Sequence, residues 1–267
     1  MKMDKKSLAK IYPLTVSLIP FAAILIIYFS FSNERHRNHP QDKLLPTISE
    51  IYGGFKETAL KQDRNGDLRL ELDTIASLKR IAISIIFIAS GIILGLLMGS
   101  IRFFEILFYN FILFLDKIPA LALLPVLFLA TGIGEVTKIS LIVIGVAPTI
   151  ILDTYLRAKA IPEEQIIKAL TLNASKMEIM FKITLPRIIP NVLDTLRLNF
   201  KSVILFLIAG ESLCASVGLG FRIFLVTRYM AMDIIIPYVL WIGLLTFLLD
   251  YGVRFWISFN YPWLNKD

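Results

Sequence analysis

Residues 81–100 read IAISIIFIASGIILGLLMGS, twenty positions without one charged side chain. At about 1.5 Å per residue an α-helix of that length reaches ~30 Å, the thickness of a bilayer's hydrocarbon core. Working outward, further apolar runs cover 11–31, about 106–131, 139–152, 203–217 and 234–257. Six transmembrane helices and an all-α membrane protein are therefore predicted. The runs at 139–152 and 203–217 are short and must extend into polar flanks shielded by neighbours. The run at 106–131 is split by Asp116, Lys117 and Pro119. Its halves are too short to span alone, which predicts one kinked helix whose charged step faces protein or water.

Composition agrees. The 267 residues are 56% hydrophobic and 18% charged, with mean hydropathy +0.71. A soluble domain carries about 25% charged residues, so this apolar excess cannot be buried in one soluble core. The same numbers exclude a disordered chain, a collagen-like repeat and a disulfide scaffold, and Cys214 is the only cysteine. In a membrane protein the net charge of +7 reads as basic residues held at the cytoplasmic face, not as a nucleic-acid footprint.

Three regions follow. Residues 1–32 hold a cytoplasmic end with Lys2, Lys5, Lys6 and Lys10 and the first span. Phe29-Ser30-Phe31-Ser32 offers no small-x-small cleavage site, so this span is an uncleaved anchor. Residues 33–77 form a polar, periplasmic segment. In it Ile48, Ile51, Phe55, Ala59 and Leu60 fall at helical spacing for a short helix on the membrane surface. Asp63 to Asp67 is a turn that lacks the Gly and distant Glu of a calcium loop. Residues 78–267 are the core, with five spans. The lysines at the start, with Arg157, Lys159, Lys168, Lys176, Lys182 and Arg187 between spans four and five, place both termini in the cytoplasm.

The segment at 156–190 is the informative loop. Pro162 can open a helix with Glu163 and Glu164 in its first turn. Ile166, Ala169 and Leu170 then share a face, and Asn173 can end the helix in a left-handed cap before Ala174 and Ser175. A second amphipathic helix begins at Lys176, with Met177, Met180, Phe181 and Leu185 on its apolar side, and is expected to stop at Pro186. The pair presents an apolar patch.

This spacing resembles the EAA loop of binding-protein-dependent ABC importer permeases, roughly E-A-A-x-x-x-G, nine residues, then I-x-L-P. Ala169, Asn173, Ile183, Leu185 and Pro186 fall at the motif's positions, with Asn173 standing in place of the Gly and Ile167 in place of the Glu. Glu163, Glu164 or Glu178 can supply the lost charge. Leu45 to Glu50, Ser77 to Arg80, Ile118 to Pro125, Gly218-Leu219-Gly220 after Glu211, and Pro262-Trp263 resemble the nitrate-, sulfonate- and taurine-type subgroup. The resemblance implies a type I ABC importer permease-like fold in a bacterial inner membrane. It further implies a second permease copy, two cytosolic ATPase subunits on the 156–190 loops, and a periplasmic or lipid-anchored solute-binding protein. The solute implied is a small anion of the nitrate, sulfonate or taurine kind, or a vitamin precursor.

The remaining candidates are few. Gly91, Gly95 and Gly99 form a close-packing face, either within the subunit or at a homodimer seam. Glu211, with Ser212, lies in an apolar run, where an ionisable group either lines the path or pairs with Lys201 or a neighbouring Arg. Asp116 and Lys117 read first as a mutual ion pair at a helix break and second as path lining. Asp250 and Arg254 read as an i,i+4 pair, and Trp241, Tyr251, Trp256, Tyr261 and Trp263 as interfacial anchors. No catalytic or metal site is expected, since His36 and His39 lack partner ligands and no G-x-S-x-G occurs. No phosphate-binding G-x-x-x-x-G-K-[ST] occurs either, so no cofactor belongs to this chain and a partner must bind ATP and Mg. An ion-gradient-driven carrier would be expected to show an internal repeat, a membrane enzyme clustered catalytic groups, and a scaffold neither.

Overall fold

The structure, a computed structural model, describes residues 5–38, 44–62 and 66–262. His39, Asp63 to Asn65 of the calcium-like turn, and Trp263 lie outside them. Helices α1 (Lys5–Asn38), α2 (Ile48–Leu60), α3 (Arg69–Ser100) and α4 (Arg102–Lys117) come first. A 3-10 turn (Ala120–Leu123), α5 (Leu124–Thr131), α6 (Glu135–Lys159) and α7 (Glu163–Thr171) follow. The chain continues through α8 (Lys176–Glu178), a π-helical turn (Ile179–Thr184), α9 (Leu185–Leu198) and α10 (Phe200–Cys214) to α11 (Leu219–Thr227) and α12 (Met232–Asn260). Among the described residues there is no strand, only an antiparallel bridge between Gln62 and Leu68 at the expected turn.

The six expected spans fall on α1, α3, α4–α5, α6, α10 and α12, and they are unequal. Helices α3, α6 and α12 are each long and apolar enough to cross a membrane, as are α4 and the 120–131 segment taken together. The 139–152 run does extend into polar flanks, within the 25 residues of α6. Helix α10 has only 15 residues, about 22 Å, and follows α9 after a single turn residue, Asn199. The kink expected near Pro119 is much larger: α4 and the 120–131 segment meet at 87°. Pro119 has no N–H and disfavours helix at the preceding residue. Ile118 is accordingly extended (φ −80°, ψ 122°) and ends α4. The segment is thus two short helices meeting at a sharp break, a larger turn than a simple kink.

Two compact units result: residues up to 61 with 226–237, and residues 62–225 with 238 onward. In the first, Tyr28 donates to the Pro46 carbonyl at 2.7 Å, and a Thr47–Glu50 capping box starts α2. Gly54 meets the start of α12 so closely that a Cβ would sit 2.2 Å from the Asp233 carbonyl oxygen. The exposed Ile48, Tyr52 and Phe55 lie on the other side of α2.

The second unit is built on the α3–α6 pair. Ile81, Ile88 and Leu96 of α3 interleave with Ile142, Val146 and Ile150 of α6, and α9 and α10 add Ile188, Val192, Val203 and Leu207. Small residues bring the backbones together, as dispersion-driven packing in lipid requires. A Cβ on Gly95 would lie 2.5 Å from the Ile151 carbonyl oxygen and 2.7 Å from Thr154 Cβ; one on Gly99 would lie 2.5 Å from Ala158 Cβ. The Gly91, Gly95 and Gly99 face is thus filled by α6 of the same chain. Gly95→Ala must push α3 and α6 apart, destabilising the protein by ~1–3 kcal/mol. Gly53→Ala, which meets nothing within 4 Å, should cost nothing. Thermal unfolding of the two variants in one detergent checks the contrast.

Candidate functional site

The segment between α6 and α9 folds as a helical elbow. Helix α7 ends with Asn173 at φ 62°, the left-handed conformation that asparagine tolerates better than other residues with a Cβ. The Asn173 N–H donates to Leu170 at 2.9 Å and the Ala174 N–H to Ala169 at 3.0 Å, the two bonds of a Schellman stop. Ser175 then caps α8: its hydroxyl accepts from the Glu178 N–H at 3.2 Å, while Glu178 accepts from the Ser175 N–H at 3.0 Å. Lys182 and the Ser175 donors hold the Glu178 carboxyl at about 2, so it stays charged at physiological pH. That commits Glu178 inside the elbow. Glu163 and Glu164 are exposed and, among the described residues, without a partner.

The helix does not stop at Pro186. It widens into the π-turn, where the Leu185 N–H reaches back five residues to Met180, and Pro186 sits in the first turn of α9. A proline is tolerated there because first-turn N–H groups need no helical partner. The wide turn drives Met180 into the core at 1% exposure and leaves Met177 and Phe181 outside. Ile166 and Leu185 pack on the core.

One expected contact changes sides. Ala169 is only 7% exposed, buried within its own chain, whereas Leu170 (48%), Ile167 (58%) and Leu172 (82%) face outward. The outward patch therefore uses Ile167, the residue that breaks the expected motif.

A second cluster lies at the opposite end of α6. Glu211 is fully buried and accepts from Arg80 at 2.6 Å, Ser77 at 2.7 Å and the Gly220 N–H at 2.8 Å. Arg80 also bridges Glu135 and donates to the Val217 carbonyl, and Lys138 pairs with Glu135 at 2.7 Å. Asp73, equally buried, accepts from the Gly218 N–H, Arg222 and Tyr238 at 2.8–3.0 Å. Three carboxylates face three cations, and the start of α11 is held by α3 and α10. Of the two readings of Glu211, the geometry is that of an ion pair with an Arg on a neighbouring helix. Ser212 bonds back to Ala209 at 2.8 Å on its own helix.

Asp73, Arg222 and Tyr238 escaped the sequence reading because their partners are up to 165 residues away. Arg80 carried a signal, standing just before the uncharged run opposite one buried-type acid. The Asp250–Arg254 pair is not formed. Asp250 accepts from Arg197 at 2.8 Å instead, and Arg254 lines a cleft of about 700 Å³ between α9 and α12. Trp241 donates to Thr74 at 2.9 Å and so ties α12 to the start of α3. At the α4–α5 break Asp116 accepts from Lys117 at 3.1 Å and from Thr149 of α6 at 2.8 Å.

Uneven spans, a helix broken within the bundle and an elbow between two spans describe a multi-pass transport permease. The chain belongs to the family of binding-protein-dependent transport system inner membrane components, which matches residues 91–265. It is 35% identical over 186 residues to a putative ABC transporter permease of Methanocaldococcus jannaschii, covering 68% of this chain and 69% of that one. It is 29% identical to the taurine transport system permease protein of Escherichia coli (80% and 76% covered). It is 30% identical to the nitrate import permease protein of Synechocystis (73% and 72%). The fold resembles a chain of the inward-facing MetNI methionine ABC transporter with TM-score 0.54, at 19% identity, over 69% of this chain and 96% of that one.

Removing one member of a buried ion pair leaves the other uncompensated, at ~3–5 kcal/mol. Arg80→Met strands Glu211 and should lower the yield of folded protein sharply. Glu211→Gln keeps acceptors for Ser77 and Gly220 and should cost less. Monodispersity and melting temperature after solubilisation read the order of the two.

Proposed function

We propose that this chain is one of two membrane subunits of an ATP-driven importer for a small anionic solute, and that its elbow docks into a groove of a separate ATPase. The observation carrying this is the set of outward apolar side chains Ile167, Leu170, Leu172, Met177 and Phe181 on an elbow whose turns are fixed by Asn173 and Ser175. Apolar side chains at this density, beside the unpaired Glu163 and Glu164, suit a helix that inserts into a groove on a partner. In this reading the termini are cytoplasmic, a second copy completes the pathway, a solute-binding protein delivers cargo on the other face, and ATP and Mg bind to the ATPase. Helix α6 is the strut between the elbow and the Arg80–Glu211 cluster, so an ATPase moving the elbow would move the buried cluster as one body. The names of the taurine and nitrate relatives support an anion as solute.

Leu170→Asp puts a charge at the centre of the docking patch, where a lost anchor costs at least ~2 kcal/mol, roughly thirtyfold in affinity. The variant should fold normally yet lose the co-expressed ATPase on purification. Ala169→Asp, which buries a charge inside the chain, should instead lower the permease's own stability. An ATPase retained in full by Leu170→Asp would remove the elbow as the docking site.

A further inference from the structure

The break between α4 and α5 places a charge where lipid cannot receive it. Thr149, which donates to Asp116, is the fifteenth of the 25 residues of α6. It therefore sits ~21 Å from one end of that helix and ~15 Å from the other, near the middle of the membrane. Lys117, next to Asp116, has a side chain 73% exposed, against 18% for Asp116. The surface around it is apolar: Phe111 and Phe114, on the turns of α4 that precede it, are 57% and 65% exposed. An ammonium at this depth faces the bundle interior or a water-filled cavity, because facing acyl chains is costly. Asp116 neutralises it only in part. The carboxylate is held by Thr149 on one oxygen and Lys117 on the other, and an ammonium has three donors, so two donors remain beyond the bond to Asp116.

We propose that Lys117 presents its ammonium to the translocation path at mid-depth and contacts a small oxoanion there, a sulfonate, carboxylate or nitrate group, in transit. Asp116 is the positioning residue. Tied to α6 through Thr149, it fixes the lysine at the break and keeps the site near neutral between solutes, so that the anion is attracted without being trapped. This rests on the importer reading and names the residue that would give that path its charge preference.

The test needs no knowledge of the solute. In a Cys214→Ser background, Phe114→Cys places a thiol one turn from Lys117 on the same helix face. The permease, with its ATPase, is reconstituted in liposomes with and without MgATP. Rates of modification are measured with 2-sulfonatoethyl methanethiosulfonate, an anion, and its trimethylammonium counterpart, a cation. The introduced thiol should react in at least one state, and Lys117→Gln should lower the anion-to-cation rate ratio roughly fivefold. Lys117→Arg should keep the ratio. A thiol inert to both reagents in both states would put this face in lipid. A ratio unmoved by Lys117→Gln would mean that the ammonium does not act on passing ions. Either result overturns the assignment. Co-purification of the ATPase with the same variants reads the importer assignment separately.

Discussion

The buried Arg80–Glu211 ion pair constrains everything around it. A carboxylate with no exposed surface, in a protein whose surroundings are acyl chains, must have every lone pair satisfied by the protein itself. Arg80, Ser77 and the Gly220 amide do this for Glu211, while Gly218, Arg222 and Tyr238 do it for Asp73. Those partners come from α3, α11, the turn before it and α12, around a Glu211 that sits on α10, and Glu135 with Lys138 adds α6. The hydrogen bonds thus fix where α10 ends and how the chain turns into α11. Gly218, at φ 144°, is required there twice over, because a Cβ would also lie 2.6 Å from the Glu211 carboxylate.

From that cluster α6 runs to the elbow, with α3 pressed along it by Gly91, Gly95 and Gly99. Close backbone contact makes the pair stiff, since α3 cannot slide without driving its backbone into Ile151 or Thr154. The elbow itself is rigid for local reasons. The Schellman stop at Asn173 and the capping box at Ser175 satisfy the helix ends, and the π-turn carries the chain past Pro186 without a break. Rigid parts at both ends of a stiff strut suit the proposed role of passing motion from one end of α6 to the other.

The helical membrane fold was legible because lipid tolerates so few solutions. An uncharged run such as 81–100 has no other reading, and Asn173 announced its left-handed cap by residue type alone. What misled was periodicity without depth. Ala169 and Leu170 are neighbours on one apolar arc, and the sequence could not say which half of it the protein's own core would take. Pro186 looked like a stop because the π-turn that accommodates it has no sequence signature of its own. Pro119 was read as a bend, but its effect on Ile118 turned the chain through 87°. The charge cluster joins residues far apart in the chain, and only Arg80 and Glu211 were conspicuous in their local surroundings.

In the proposed assembly the elbow inserts into the ATPase, with Leu170 and Leu172 as its outward anchors. Site-specific photocrosslinking in the assembled complex tests it most directly, using a photoreactive amino acid at 170, 172 or 180 in turn. Positions 170 and 172 should crosslink to the ATPase, and position 180, buried at 1% exposure, should not. Crosslinks from 170 and 172 only to lipid or to another permease copy, in a complex that retains its ATPase, would contradict the account.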